Sequence, residues 1–256
     1  MANTVYANKV IEARAKDLLT TKINTRNLMT VDNELAQEAG MTKTVNVYTY
    51  TGAAEEVGAG EGNSTRGSIA YVGTDYTVKM VQQVFDYRDE DFLKDPTIVD
   101  NGVLGATQTM TNKMNSDFIS ECAKATLTVA KGQGGLTYDN IVDAISEINV
   151  EDESKLIVLI PNDWKADLRK DEDYVAARMG EVVYNGQVGT VAGLPVVASK
   201  AATEAYVLSP EAITLFIKKD VEVEQDRDKD TRTNSIYLRS AYLVALTDAT
   251  KICSIK

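Results

Sequence analysis

The residue types that most often carry chemistry are sparse in this chain, and the first of them is missing: the 256 residues include no histidine. That removes Ser-His-Asp and Cys-His nucleophiles, histidine-bearing zinc sites and histidine proton shuttles together. A serine nucleophile at Ser68, Ser116 or Ser199 would need a lysine base, and no Ser-x-x-Lys spacing occurs. Asp86, Asp89, Glu90 and Asp91 could supply a glycosidase carboxylate pair, but only Tyr87 and Phe92 stand nearby to line a cleft. A first helical turn explains the same cluster, because acidic side chains favour the positive end of the backbone dipole. Asp226, Asp228 and Asp230 have the opening rhythm of a calcium loop. Thr231 stands where that loop needs glycine, however, and Tyr237 where it needs a bidentate glutamate. DRDKDT therefore reads as a wet turn between strands. Cys122 and Cys253 lie far apart and predict reduced core positions, with neither a disulfide nor a zinc knuckle.

The remaining candidate is the stretch TGAAEEVGAGEGNSTRGS, residues 51 to 68, with five glycines. A phosphate cradle needs a strand before it, a helix directly after it, and, for a P-loop, a Lys-Ser or Lys-Thr pair. Here TVNVYTY precedes and IAYVGTDYTVKMVQQVFDY follows, both alternating with a period of two. The stretch is thus expected to be the tip of a long β-hairpin. No catalytic residue, cofactor site or metal site follows from any of these motifs.

The elements around the hairpin read as follows. Val10, Ile11, Leu18, Leu19 and Ile23 recur at helical spacing between Thr4 and Ile23, predicting an amphipathic helix that covers a partner. Its end of the chain is locally basic (Lys9, Arg14, Lys16, Lys22 and Arg26) on a body whose total formal charge is −11, which reads either as a solvated helix face or as an invitation to an acidic partner. VDNELAQEAG predicts a short helix closing on Gly40. Asp95, Pro96 and Thr97 start a long helix over roughly 98 to 128, with Val99, Val103, Met110, Met114, Phe118, Cys122 and Ala125 on one stripe. KGQGGLT breaks the pattern. Beyond it come helix TYDNIVDAISEIN, strand LIVLI, a polar helix from Pro161, a turn at Asn185-Gly186, strands LPVVAS and AYVLS, and a helix PEAITLF capped by Ser209. The β segments VEVEQ and NSIYLRSAYLVALT close the chain. The fold class is α+β. The acidic balance excludes a basic nucleic-acid-binding face, and no apolar run approaches the ~20 residues of a bilayer span, so no membrane partner is expected.

This order of elements, with GTVAGLPVVASK and NSIYLRSAYLVALTDATKICSIK as its most familiar phrases, resembles the major capsid proteins of tailed bacteriophages with the Hong Kong 97-type fold. The resemblance implies an N-terminal arm over 1–43, an extended loop (the β-hairpin) over 44–85 and a peripheral domain with its spine helix over 86–135. A mixed axial domain over 136–231 and a terminal strand over 232–256 returning to the peripheral domain complete the expected division. It implies a structural protein and not an enzyme, forming hexamers and pentamers of an icosahedral shell around double-stranded DNA, which it touches non-specifically. The shell would assemble in the host bacterial cytoplasm and be found in the virion. Because the chain starts at the arm, a separate scaffold protein and a portal are expected partners. Glu55, Glu56, Glu61 and Arg66 at the hairpin tip are the expected intersubunit contacts. The lysine–asparagine cross-link of some members is not carried over, since the tip has no lysine and Lys43 and Lys79 lie at the strand bases. The same fold also admits an encapsulin-type nanocompartment, and a carboxylate-dependent hydrolase is the alternative from another class.

Overall fold

The computed structural model describes residues 8–22, 25–37, 39–132, 134–177 and 189–256. Helix α1 (Asn8–Lys22) is followed by the short strand β1 (Thr30–Asp32) and the hairpin β2 (Thr42–Thr51) and β3 (Ser68–Thr77). Strand β4 (Lys79–Arg88), helix α2 (Asp89–Lys94) and the long helix α3 (Ile98–Cys122) come next. A second group holds β5 (Leu127–Val129), α4 (Tyr138–Ile148), β6 (Ile157–Pro161), α5 (Lys165–Lys170), α6 (Glu172–Ala177), β7 (Thr190–Val191), β8 (Leu194–Ser199) and β9 (Ala205–Leu208). Two long strands, β10 (Ile213–Asp228) and β11 (Thr233–Leu246), and the terminal β12 (Ile252–Ile255) end the chain.

Three sheets result. One is four-stranded in the order β1-β10-β11-β4; another is six-stranded in the order β5-β12-β9-β6-β8-β7; the third is the isolated pair β2-β3. Helix α3 is the common wall. Its buried stripe Val99, Val103, Met110, Met114, Phe118 and Cys122 packs with Val221, Val223, Ile236, Leu238 and Tyr242 of the four-stranded sheet, and with Tyr206, Leu208 and Ile252 of the six-stranded one. A second core, built from α4, α5, α6 and the other face of the six-stranded sheet, contains Ile141, Ile145, Val158, Ile160, Leu168, Tyr174 and Cys253. The stripe read from the sequence is therefore core, as its spacing required.

The helix starts where Asp95 accepts from the Thr97 amide (2.9 Å) and hydroxyl (2.7 Å). It ends at Cys122, six residues short of the expected limit, and Ala125 is buried beyond it on the way into β5. Helix α4 is opened by a reciprocal cap between Thr137 and Asn140 and closed by Asn149 in the left-handed conformation. Gly102 of α3 lies so close to β4 that a Cβ there would stand 2.3 Å from the Phe85 ring, so the helix–sheet approach requires glycine.

Other expectations are corrected. PEAITLF is not a helix: Ala212 N–H closes a turn on the Ser209 carbonyl (2.9 Å), and Ile213 opens β10. Ile213, Thr214, Leu215 and Phe216 are all buried, sandwiched between β1 and β11, and a helix would turn part of that run to water. VDNELAQEAG begins within β1, and the expected helix is, among the described residues, a single 3₁₀ turn, Glu34–Ala36, that buries Leu35. The polar helix expected from Pro161 begins as a 3₁₀ turn, Asn162–Trp164, before α5.

Helix α1 also departs from expectation. It covers its own subunit: Ile11 and Ala15 are buried in the main core, with Leu18 packed against it, while Val10 is exposed. Arg14 pairs with Asp100 of α3 and Lys16 with Asp220 of β10, so part of the basic arm meets acid within the same chain. The expected helix positions Thr4 and Ile23, and the turn at Asn185-Gly186, lie outside the described residues.

Candidate assembly surface

Among the described residues, the expected chemical sites dissolve into structure. Asp86 sits in β4 opposite Ser235, whereas Asp89 pairs with Arg227 and accepts from the Asn234 side chain (2.7 Å), and Glu90 pairs with Arg232 at 2.9 Å. These contacts tie the first turn of α2 to the far end of the β10–β11 hairpin. Asp228 accepts from the Asp230 amide (2.9 Å) and the Thr231 hydroxyl (2.8 Å), so DRDKDT is a self-bonded turn between β10 and β11. No group of three metal-ligating side chains occurs among the described residues. Both cysteines are free and buried; burial pushes the Cys253 thiol up to about 11 and the Cys122 thiol further, which leaves neither as a thiolate. Ser68 and Ser116 are exposed, and Ser199 Oγ accepts from the Ala201 amide. No helix among the described residues is long and apolar enough to cross a membrane.

What remains is the hairpin, which divides into a root, a ribbon and a tip. At the root, Val45, Val78 and Tyr76 join Phe216, Ala241, Leu243 and Ala245 in a small core. The Val78 amide donates to the Met41 carbonyl (2.7 Å), and ammonium groups lie over two rings there: Lys43 over Phe216 and Lys124 over Tyr76. Beside the root, Lys79 of β4 meets the buried carboxylate of Asp117 on α3. Burial works to raise that carboxyl's pKa, but Lys113 (2.6 Å), the Tyr242 hydroxyl (3.0 Å) and Lys79 (3.3 Å) outweigh it and hold the group below its usual value. The Tyr242 phenol is pushed up by burial and by this neighbour.

The ribbon pairs ten residues in register, from Thr42 opposite Thr77 to Thr51 opposite Ser68. Beyond its root it touches little of its own subunit. Tyr50, Ile69, Tyr71 and Val72 are each about two-thirds or more exposed, and Val47 is exposed as well. Cross-strand register puts Tyr50 and Ile69 on one face, and Val47 and Val72 on the other. No charged residue occurs from Thr44 to Ala54 or from Gly67 to Thr74.

At the tip, Glu55, Glu56, Glu61 and Arg66 are all exposed and close in sequence, as the motif suggested. Glu55 is already engaged: its carboxylate accepts from the Ser64 hydroxyl and amide and from the Thr65 amide, contacts that hold its pKa below the usual range, the Ser64 hydroxyl contributing most. The narrowing below the tip favours glycine at 52, because a Cβ there would fall 2.8 Å from the Gly67 Cα. Sequence reasoning picked out the tip charges and passed over the ribbon. The missed signal was apolar side chains at both parities of a strand with no charge among them.

A polar cleft of about 530 Å³ lies between α3 and the ends of β6 and β8, lined by Gln108, Asn112, Asn115, Asn162, Ser199 and Lys200. No carboxylate lines it, and the Ser199 Oγ there accepts from the Ala201 amide.

Comparison with known proteins finds likenesses in both sequence and fold. No protein-family model matches the chain. Over 250 residues it is 25% identical to a protein named major capsid protein from Staphylococcus phage phiMR11, covering 93% of this chain and 88% of that one. Its fold is similar to a solved structure from Mycobacterium phage Che8, with TM-score 0.73 and 15% identity over 92% of this chain and 91% of the other. The capsid structure of cyanophage P-SCSP1u is similar too, with TM-score 0.71 and 10% identity over 89% and 86%. The fold is the α+β Hong Kong 97-type fold that the order of elements had suggested.

Proposed function

We propose that this chain, a phage major capsid protein by sequence likeness and by its Hong Kong 97-type fold, assembles in many copies into the icosahedral shell that encloses phage double-stranded DNA. The observation that carries the reading is the likeness to a curated major capsid protein along nearly the whole of both chains. The structure supplies the physical means. A body whose two larger sheets pack on α3 carries one long ribbon that leaves it, and a body with unlike surfaces makes heterologous contacts that can close into rings.

The finer division follows the same reading: an arm over 1–43, an extended loop over 44–85, a peripheral domain over 86–135 completed by 232–256, and an axial domain over 136–231. Hexamers and pentamers would form from copies of the chain, with a scaffold protein and a portal as partners, in the cytoplasm of the bacterial host. The net charge of −11 limits adhesion to packaged DNA, leaving that contact non-specific. Glu56, Glu61 and Arg66, with Glu55, serve as exposed ion-pair partners at the contact between copies; such pairs contribute little singly and recur in every copy. No catalysis is assigned: Asp89 is engaged by Arg227 and Asn234, Glu90 by Arg232, and Ser199 Oγ by the Ala201 amide.

The likeness in sequence is to a phage protein, which favours a virion shell over an encapsulin-type compartment; the neighbouring genes check this, portal, terminase and tail against a cargo enzyme. Negative-stain electron microscopy of the purified protein, with and without its scaffold, tests the main reading. Closed shells are expected at least when the scaffold is present, and particles no larger than a few subunits in both conditions would overturn it.

A further inference from the structure

The polar cleft between α3 and the ends of β6 and β8 takes no part in the shell-forming reading. Its volume of about 530 Å³ lies within the range of small-molecule sites. The chain has 38 acidic and 27 basic residues, yet among the described residues that line the cleft there is no carboxylate, and the charged one is Lys200. The nearest acids along the chain stand outside the lining. Asp117 is held by Lys79, Lys113 and the Tyr242 hydroxyl, and Asp163 follows Asn162 in an exposed turn.

The hydrogen bonds already made in the cleft sort its polar atoms by kind. Gln108 Nε2 donates to Asn112 Oδ1 (3.2 Å), one turn along α3. The fully buried Thr25 hydroxyl donates to Asn115 Oδ1 (2.6 Å), and the Ala201 amide donates to Ser199 Oγ (3.2 Å). Neighbours therefore engage the oxygens of Asn112, Asn115 and Ser199. What these side chains keep to offer is their donors: two amide NH₂ groups and a hydroxyl proton. Asn112 and Asn115 lie three apart on one face of α3, and Lys200 adds an ammonium from just beyond the end of β8. Uncommitted donors beside one cation, with no carboxylate to compete, complement an oxyanion.

We infer that this cleft binds a phosphate-class oxyanion, with Lys200 supplying the charge and Asn112, Asn115 and Ser199 the hydrogen bonds. A phosphate group suits these donors better than a carboxylate, because its acceptor oxygens spread in several directions and the donors arrive from both α3 and the end of β8. Free phosphate and the phosphoryl group of a larger molecule present the same chemistry to them. The site lies within one copy of the chain. It goes beyond shell formation, and its failure leaves that reading intact.

The test titrates inorganic phosphate into the purified full-length protein at constant ionic strength and neutral pH, and follows the phosphorus NMR line width. Wild type should broaden the line saturably. Lys200→Met should weaken binding about tenfold or more, and Asn112→Asp, which sets a carboxylate among the donors, should abolish it. Lys94→Met removes the same charge from an exposed position on α2 and should leave binding unchanged. Circular dichroism checks the fold of each variant; should the aspartate variant not fold, Asn112→Ala takes its place, with an expected loss of about threefold to tenfold. No saturable broadening in wild type would overturn the site, and equal weakening by Lys200→Met and Lys94→Met would reduce it to a general attraction to the chain's cations. Acetate competing as well as phosphate would overturn the phosphate class. A short thymidine oligonucleotide added to the phosphate-loaded protein separates the sources. Displacement of phosphate supports the site with a nucleic-acid phosphodiester as its ligand, and retention supports it with the free ion.

Discussion

Strands β3 and β11 are both long and antiparallel, both carry tyrosines and β-branched residues, and the chain treats them in opposite ways. β11 lies between β10 and β4 under α3, and Ile236, Leu238 and Tyr242 are all but closed to solvent. β3 has one partner strand, and of its ten residues only Tyr76 escapes full exposure. Equal β-propensity therefore yields a core strand where a helix is available to cover it, and an open ribbon where the subunit has nothing left to offer. The difference separates two regions of one chain: β11 holds the subunit together, and β3 stays open to solvent.

That contrast makes substitutions in the two regions differ in kind. The largest effect is expected at Phe118 of α3, which is fully buried against the four-stranded sheet. Phe118→Ala should cost about 3–5 kcal/mol of subunit stability by urea denaturation, through lost transfer free energy and the cavity left behind. A loss below about 1 kcal/mol would mean that α3 is not the wall of the core.

Next comes Asp117, which joins α3 to β4 and β11. Its depressed carboxyl pKa gives stability that is present above the unfolded value near pH ~3.9 and lost as pH falls through the folded one. Asp117→Asn should lower stability by about 1–3 kcal/mol at neutral pH and flatten the acid limb of the stability curve, measured by thermal melts from pH 7 to 2. An acid limb unchanged from wild type would show the carboxylate to be uncoupled from folding.

A sharper comparison uses two glycines of one helix. Gly102 faces the Phe85 ring without room for a Cβ, and Gly105 faces open space. Gly102→Ala should destabilise by about 1–3 kcal/mol, since overpacking outweighs the gain in helix propensity. Gly105→Ala should stabilise by about 0.5–1 kcal/mol because only the propensity changes. Equal signs in the two melting temperatures would place α3 differently on the sheet.

The smallest effect on the subunit belongs to the ribbon. Val72→Thr alone should change the unassembled subunit's stability by less than about 0.5 kcal/mol, because the side chain is exposed there. A change as large as that at Gly102 would reveal that the ribbon folds back onto its own body and would erase the contrast between β3 and β11.

The sequence by itself determined the α3 stripe, the α4 helix, the hairpin strands and the wet turn at DRDKDT. It also settled that histidine chemistry is impossible, a matter of composition alone. Tertiary structure decided the rest. Residues 213 to 216 look like one face of a helix until β1 and β11 bury both sides of them as a strand. Helix α1 shows an apolar stripe that any surface could cover, and only the placement of α3 and β10 makes that surface its own subunit. The ribbon's apolar residues have the composition of core and become surface because the subunit's small root core reaches only as far as Val45 and Tyr76. Periodicity reports that a side must be covered; which distant segment covers it is fixed by non-local packing, and local sequence carries no record of that choice.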